Sequence, residues 1–149
     1  TDSVLATMPK FKTAAGRTVY GGGGIYPDVL LPEDDAPPLW LARVAEEALP
    51  LKWAGGYLTG NALPALDSLV ASPKLPAGAF ADFATFARSR ALLIPDEAEG
   101  QGRLERSLLR TLVLARYGDI GYYRVATALD PVVARALGYF DEARAIVPR

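Results

Sequence analysis

A chain of 149 residues with no cysteine and no histidine has no disulfides, no thiolate nucleophile, few routes to a zinc site, and no imidazole base of the kind most serine hydrolases use. Half of its residues are hydrophobic, 22% are charged and the net charge is −1, which argues against intrinsic disorder and against a generally nucleic-acid-binding surface. A domain of this size buries ~70% of the surface that its unfolded chain exposes, so a folded core is expected.

Thr1 to Met8 carries neither the basic start nor the apolar run of a secretory signal, and no stretch approaches the ~20 apolar residues of a membrane helix. The first region, to about Leu31, reads as β. Lys10-Phe11-Lys12-Thr13 alternates polar and apolar residues, Ala14-Ala15-Gly16 makes a turn, and Arg17-Thr18-Val19-Tyr20 starts a second strand that meets the Gly21 to Gly24 bend. Ile25 to Leu31 is a further extended segment, because the residue before Pro27 is pushed out of the α region. Three short strands do not make a stable sheet alone, so they need a larger sheet to join.

After the acidic, proline-marked link Pro32 to Pro38 the rhythm becomes helical. Leu41, Val44, Ala45, Ala48 and Leu49 share a face, and Pro50 ends or kinks that helix. A second helix is expected over Ala79 to Arg90, with Phe80, Phe83, Ala84 and Ala87 as its stripe. A third spans Gly102 to Arg116, with Leu104, Leu108, Thr111, Leu112 and Ala115 inward and Arg103, Arg106 and Arg110 mostly outward. A short fourth helix over Tyr122 to Ala128 follows a turn favoured by Gly118 and Gly121. The last opens at the N-cap Asp130 with Pro131 at its first position, and Val133, Ala136, Leu137, Phe140 and Ala143 repeat on one face. The fold class is thus mainly α: a small helical bundle over residues 36–149, preceded by a β segment over residues 1–35.

The stretch Lys10-Phe11-Lys12-Thr13-Ala14-Ala15-Gly16-Arg17-Thr18-Val19-Tyr20-Gly21-Gly22-Gly23-Gly24-Ile25-Tyr26-Pro27-Asp28 resembles a segment of the C-terminal-processing (tail-specific) serine peptidases. There a strand ending in Thr-x-x-Gly-Arg precedes a Gly-Ile-x-Pro-Asp turn, and several bacterial members carry a longer form with a run of glycines. Phe80 to Phe86, Arg116-Tyr117-Gly118, Gly121-Tyr122-Tyr123-Arg124 and Asp130-Pro131 are similar to the tail of that longer form. The resemblance implies that residues 1–35 end the peptidase catalytic domain. It also implies a Ser/Lys dyad upstream of Thr1, with a lysine whose burial lets it replace histidine as the base. No catalytic, cofactor-binding or metal residue is carried over; the matched structural positions are Gly16, Arg17, Gly24, Ile25, Pro27 and Asp28. The implied partners are the remainder of the catalytic domain, a protein or peptide substrate acting through the parent enzyme, and a possible second copy of the chain. The implied location is the periplasm or cell envelope. The alternative is a stand-alone helical protein-interaction module without protease activity.

Other candidates have plainer readings. Gly21 to Gly24 would suit a phosphate loop, but no Gly-Lys-Ser/Thr follows and Pro27 forbids the geometry. In a Pro-Asp turn, Asp28 serves nearby backbone N–H groups rather than acid catalysis. Ser72-Pro73-Lys74 is a close Ser/Lys pair, but its proline-rich loop would leave Lys74 solvated and charged. Asp96, Glu97 and Glu99 miss the spacing of a calcium loop. Arg103, Arg106 and Arg110 read as a solvated face. Trp40, Trp53, Phe80, Phe83, Phe86, Tyr122, Tyr123 and Phe140 read as core packing rather than a ligand pocket.

Overall fold

The computed structural model describes residues 7–13, 16–22, 27, 29–30 and 35–146. The protein is mainly helical, with a short antiparallel hairpin ahead of seven helices among the described residues. Two compact units divide the chain, one formed by residues 1–34 with 135–149 and the other by residues 35–134.

The hairpin pairs β1 (Lys10–Lys12) with β2 (Thr18–Tyr20) in the register Lys10 with Tyr20, Phe11 with Val19 and Lys12 with Thr18. The two-residue period of a strand then sorts the side chains. Phe11 and Val19 share one face, while Lys10, Lys12, Thr18 and Tyr20 share the other. On the polar face the Lys10 ammonium lies 5.8 Å from the centre of the Tyr20 ring. On the apolar face the Phe11 ring covers Gly21, where a Cβ would sit 2.5 Å from Phe11 Cε2. Gly21 is held there by its N–H bond to the Pro9 carbonyl at 2.9 Å. Of the expected extended segment Ile25 to Leu31, only Pro27, Val29 and Leu30 are described, and none of these three lies in a strand.

The second unit holds α1 (Leu39–Glu46), α2 (Leu49–Gly60), α3 (Leu66–Ala71), α4 (Ala79–Ser89) and α5 (Ala98–Leu129). The apolar face expected from Leu41 to Leu49 is divided between two helices. Ala48 takes a left-handed conformation (φ 50°, ψ 38°) that ends α1, and Pro50 stands in the first turn of α2, where its missing N–H costs nothing. Val44 and Leu49 are still buried, whereas Ala45 and Ala48 are exposed. Leu49, Trp53 and Tyr57 then follow at four-residue intervals along the buried side of α2.

The helix expected over Ala79 to Arg90 is α4. The left-handed Gly78 precedes it, and Ala79, Phe83 and Ala87 are buried on its inner face. Its end is a Schellman motif: Leu92 N–H bonds the Ala87 carbonyl at 3.0 Å and Ala91 N–H bonds the Arg88 carbonyl at 3.0 Å. Ala91 (φ 58°) occupies the left-handed position usually given to glycine, and the buried pair Leu92 and Ala87 closes the motif.

The third and fourth expected helices meet across one residue. Helix α5 starts four residues before Gly102 and is interrupted only at Gly118 (φ 67°, ψ −166°), after which helical geometry resumes to Leu129. That pair of angles lies in a region essentially confined to glycine. Beyond the break Gly121 is itself buried; a Cβ there would stand 2.5 Å from Tyr117 Cβ and 3.3 Å from Val113 Cγ1. Leu104, Leu108 and Leu112 are buried as expected, but Ala115 is exposed, Thr111 is half-buried, and Leu109 and Val113 are buried in addition.

The extra buried residues arise because α5 serves two clusters. Leu104, Leu108 and Leu112 pack with Val44, Trp53 and Phe83, while Leu109 and Val113 pack with Leu69 and Val125. A fully buried Phe83 or Leu108 contributes roughly 1.5–3 kcal/mol through removal of its apolar surface from water. The Trp53 and Phe83 rings meet edge to face, with centroids 5.5 Å apart. Trp53 Nε1 donates to Asp82 Oδ1 at 2.6 Å, so the buried indole keeps its hydrogen bond.

The final helix of the sequence reading is two helices, α6 (Pro131–Leu137) and α7 (Phe140–Ile146). Asp130 caps α6 as expected, its Oδ1 accepting from Val132 N–H at 2.8 Å and Val133 N–H at 3.3 Å. The chain then turns at Gly138 and Tyr139, whose N–H groups bond the Arg135 and Ala136 carbonyls. That break divides the expected stripe. Val133 is half-buried and Ala136, Leu137, Phe140 and Ala143 are exposed.

Candidate functional site

The residues that carry the family resemblance lie in and beyond the hairpin. Its turn is closed by Thr13, whose carbonyl accepts from Gly16 N–H at 2.8 Å and whose N–H donates to the Arg17 carbonyl at 2.9 Å. Thr13 Oγ1 also accepts from Arg17 N–H at 3.1 Å. Gly16 stands at φ 80°, a left-handed position that any side chain would strain. In the Thr-x-x-Gly-Arg pattern threonine is thus the clasp and glycine the pivot. Lys12 Nζ adds a bond to the Gly16 carbonyl at 3.3 Å.

Pro27 is exposed, and Gly24, Ile25 and Asp28 lie outside the described residues. Of the glycine bend, Gly21 and Gly22 are described, Gly22 at φ 114°. Phe11 is 57% exposed, and among the described residues no third strand pairs with either edge of the hairpin. A short ribbon with an exposed apolar face has the chemistry of a surface that further strands can join.

The remaining sequence candidates are dispersed. Ser72 ends α3, its N–H bonding the Ser68 carbonyl at 3.0 Å, and Lys74 is exposed in the loop that follows. Glu97 Oε2 accepts from Trp40 Nε1 at 3.0 Å, which ties α1 to the start of α5. Asp96 Oδ1 instead faces Gln101 Nε2 at 3.5 Å. Among the described residues no three Asp or Glu groups converge in a metal-binding cluster. Arg103 leaves the solvated face assigned to the arginines: its Nη1 donates to the Asp35 carbonyl at 2.8 Å and fastens the start of the helical unit.

Trp53 and Phe83 are buried, and Trp40, Phe80 and Phe86 pack around the same cluster. Tyr123, 67% exposed, and Phe140 are on the surface rather than in the core. Burial raises the Tyr57 phenol above its ordinary value of 10.0, and the neighbouring Asp82 carboxylate adds to the shift.

Comparison of the chain with protein-family models, curated proteins and solved structures gives no match. No helix of the described residues is long and apolar enough to cross a membrane. One concave feature escaped sequence reading, a cavity between the α3–α4 loop and the middle and end of α5. Its walls come from segments about twenty residues or more apart in the chain, so no local motif announces it.

Proposed function

We propose that this chain is the C-terminal part of a serine endopeptidase of the C-terminal-processing family, in which the hairpin extends the catalytic sheet and the helices brace that domain or mediate self-association. The observation that carries the reading is the ordered match over Lys10 to Asp28. Its described part forms a two-stranded ribbon with Phe11 exposed on an apolar face, and such a ribbon is only marginally stable without further strands. The Ser/Lys dyad belongs to the preceding part of the parent enzyme, which works in the periplasm or cell envelope on protein tails.

The chain alone is then inactive. Purified and incubated with an unstructured protein, it leaves that protein intact, and cleavage abolished by substituting one of its own serines would overturn the proposal. In the longer polypeptide encoded with it, substitution of the upstream serine or lysine abolishes cleavage. Phe11→Asp lowers turnover there by at least tenfold through loss of sheet docking. The stand-alone interaction module is favoured by one feature, the closure of a complete core within residues 35–134. That reading is upheld instead if the longer polypeptide has no dyad and cleaves nothing.

A further inference from the structure

The cavity beside α4 and α5 has a lining whose chemistry selects a ligand. It measures about 400 Å³ and lies wholly within the helical unit. Leu75, Phe80, Leu109 and Leu129 provide apolar wall, and Lys74, Arg106 and Glu105 bring charge to it. The break at Gly118 is what makes the enclosure possible. It returns the second half of α5 so that Val125 and Leu129 pack into the same cluster as Leu109.

Lys74 and Arg106 form no ion pair with another described residue. Two cations against one carboxylate leave a net charge of +1 at the cavity. The first turn of α4, reached through Gly78 and Phe80, holds Asp82 and has its Ala79 N–H bonded to the Pro76 carbonyl, so the positive charge at the cavity comes from Lys74 and Arg106. A monoanion matches this balance, whereas a phosphate dianion would meet the Glu105 carboxylate with a charge left over. The apolar wall requires an apolar body on the anion. At the ~30 Å³ of a water-sized group, the volume admits about a dozen heavy atoms.

We infer that this cavity binds an apolar monocarboxylate of about that size, with Lys74 and Arg106 holding the carboxylate and Phe80, Leu109 and Leu129 covering the hydrocarbon. The shared chemistry occurs in free aryl or alkyl carboxylic acids and in peptide C-termini that end in an apolar residue. Two partly solvated cations and a half-open site give an expected dissociation constant on the order of 0.1–1 mM.

The test is an NMR titration of the ¹⁵N-labelled full chain with 4-phenylbutyrate, 4-phenylbutanol and inorganic phosphate. Saturable shifts of the Gly78, Phe80, Leu109 and Leu129 amides with 4-phenylbutyrate, and binding at least fivefold weaker for both the alcohol and phosphate, are expected. The variant carrying Lys74→Gln and Arg106→Gln, both at exposed positions, should keep its helical spectrum and bind 4-phenylbutyrate at least fivefold more weakly. Equal binding of the alcohol, tighter binding of phosphate, an unaltered affinity in the double variant, or no saturation would each overturn the inference. A tetrapeptide ending in phenylalanine, with free or amidated C-terminus, separates the sources. Binding of the free acid alone points to peptide tails, and binding of 4-phenylbutyrate with neither peptide points to small acids.

Discussion

Gly118 offers a test in which backbone conformation is separated from packing. Its φ of 67° and ψ of −166° interrupt α5, yet a Cβ built there meets nothing within 4 Å. Gly118→Ala therefore brings no clash with a neighbour, only the strain of a side chain in a glycine-only region, which costs roughly 1–3 kcal/mol. Gly56, exposed in α2 and likewise without neighbours within 4 Å of a Cβ, is the control. There alanine fits a helix and removes unfolded-state entropy, stabilising by about 0.5–1 kcal/mol. Urea denaturation followed by circular dichroism should show opposite signs for the two variants. For a unit of this size the loss at Gly118 corresponds to a fall in Tm of roughly 3–15 °C. A Gly118→Ala variant as stable as the parent, or Gly118 and Gly56 variants that shift in the same direction, would refute the argument.

Ala91→Gly relieves the left-handed alanine of the α4 Schellman motif and should stabilise by about 0.5–1 kcal/mol; a lower urea midpoint would show that the motif tolerates alanine without strain. Tyr57 sets an alkaline limit. Because its folded-state pKa is raised, the folded form holds the proton more tightly, so this stability is complete below the ordinary value near 10 and is lost as pH rises through the folded value. Tyr57→Phe should therefore gain on the parent between pH 8 and pH 11 in urea denaturation, and a constant difference between the two proteins would count against the burial of that phenol.

What the sequence made legible follows from which signals are local. The Phe80, Phe83, Ala84 and Ala87 stripe marks α4 almost to the residue, because its core face lies within one short window. Asp130 and Pro131 mark the start of α6 in the same way. Helix α2 was hidden because Pro50, Gly55, Gly56 and Gly60 all read as breakers. Burial of Leu49, Trp53 and Tyr57 overrides those propensities, and only their four-residue spacing could have revealed it. Gly118 and Gly121 both favour a turn, but the break needs only the first; at the second, Tyr117 and Val113 pack too closely for a side chain. The hairpin was legible from alternation and from Gly16. The cavity was not, since Lys74 and Arg106 share a wall only after α5 has packed.

The attachments along α5 also set an order in time. Trp40 bonds Glu97 just before its first residue, Arg103 holds the Asp35 carbonyl, Tyr117 Oη donates to the Pro64 carbonyl at 2.7 Å, and Arg124 pairs with Asp67 at 2.8 Å. Leu104, Leu108 and Leu112 fill the cluster begun by α1, α2 and α4. On the ribosome the four earlier helices emerge before the element that joins them, and the cluster shared by α1, α2 and α4 stays open on the side that α5 fills. Closure of this unit is thus deferred until α5 has cleared the exit tunnel, and until then the nascent chain is most exposed to chaperones and proteases.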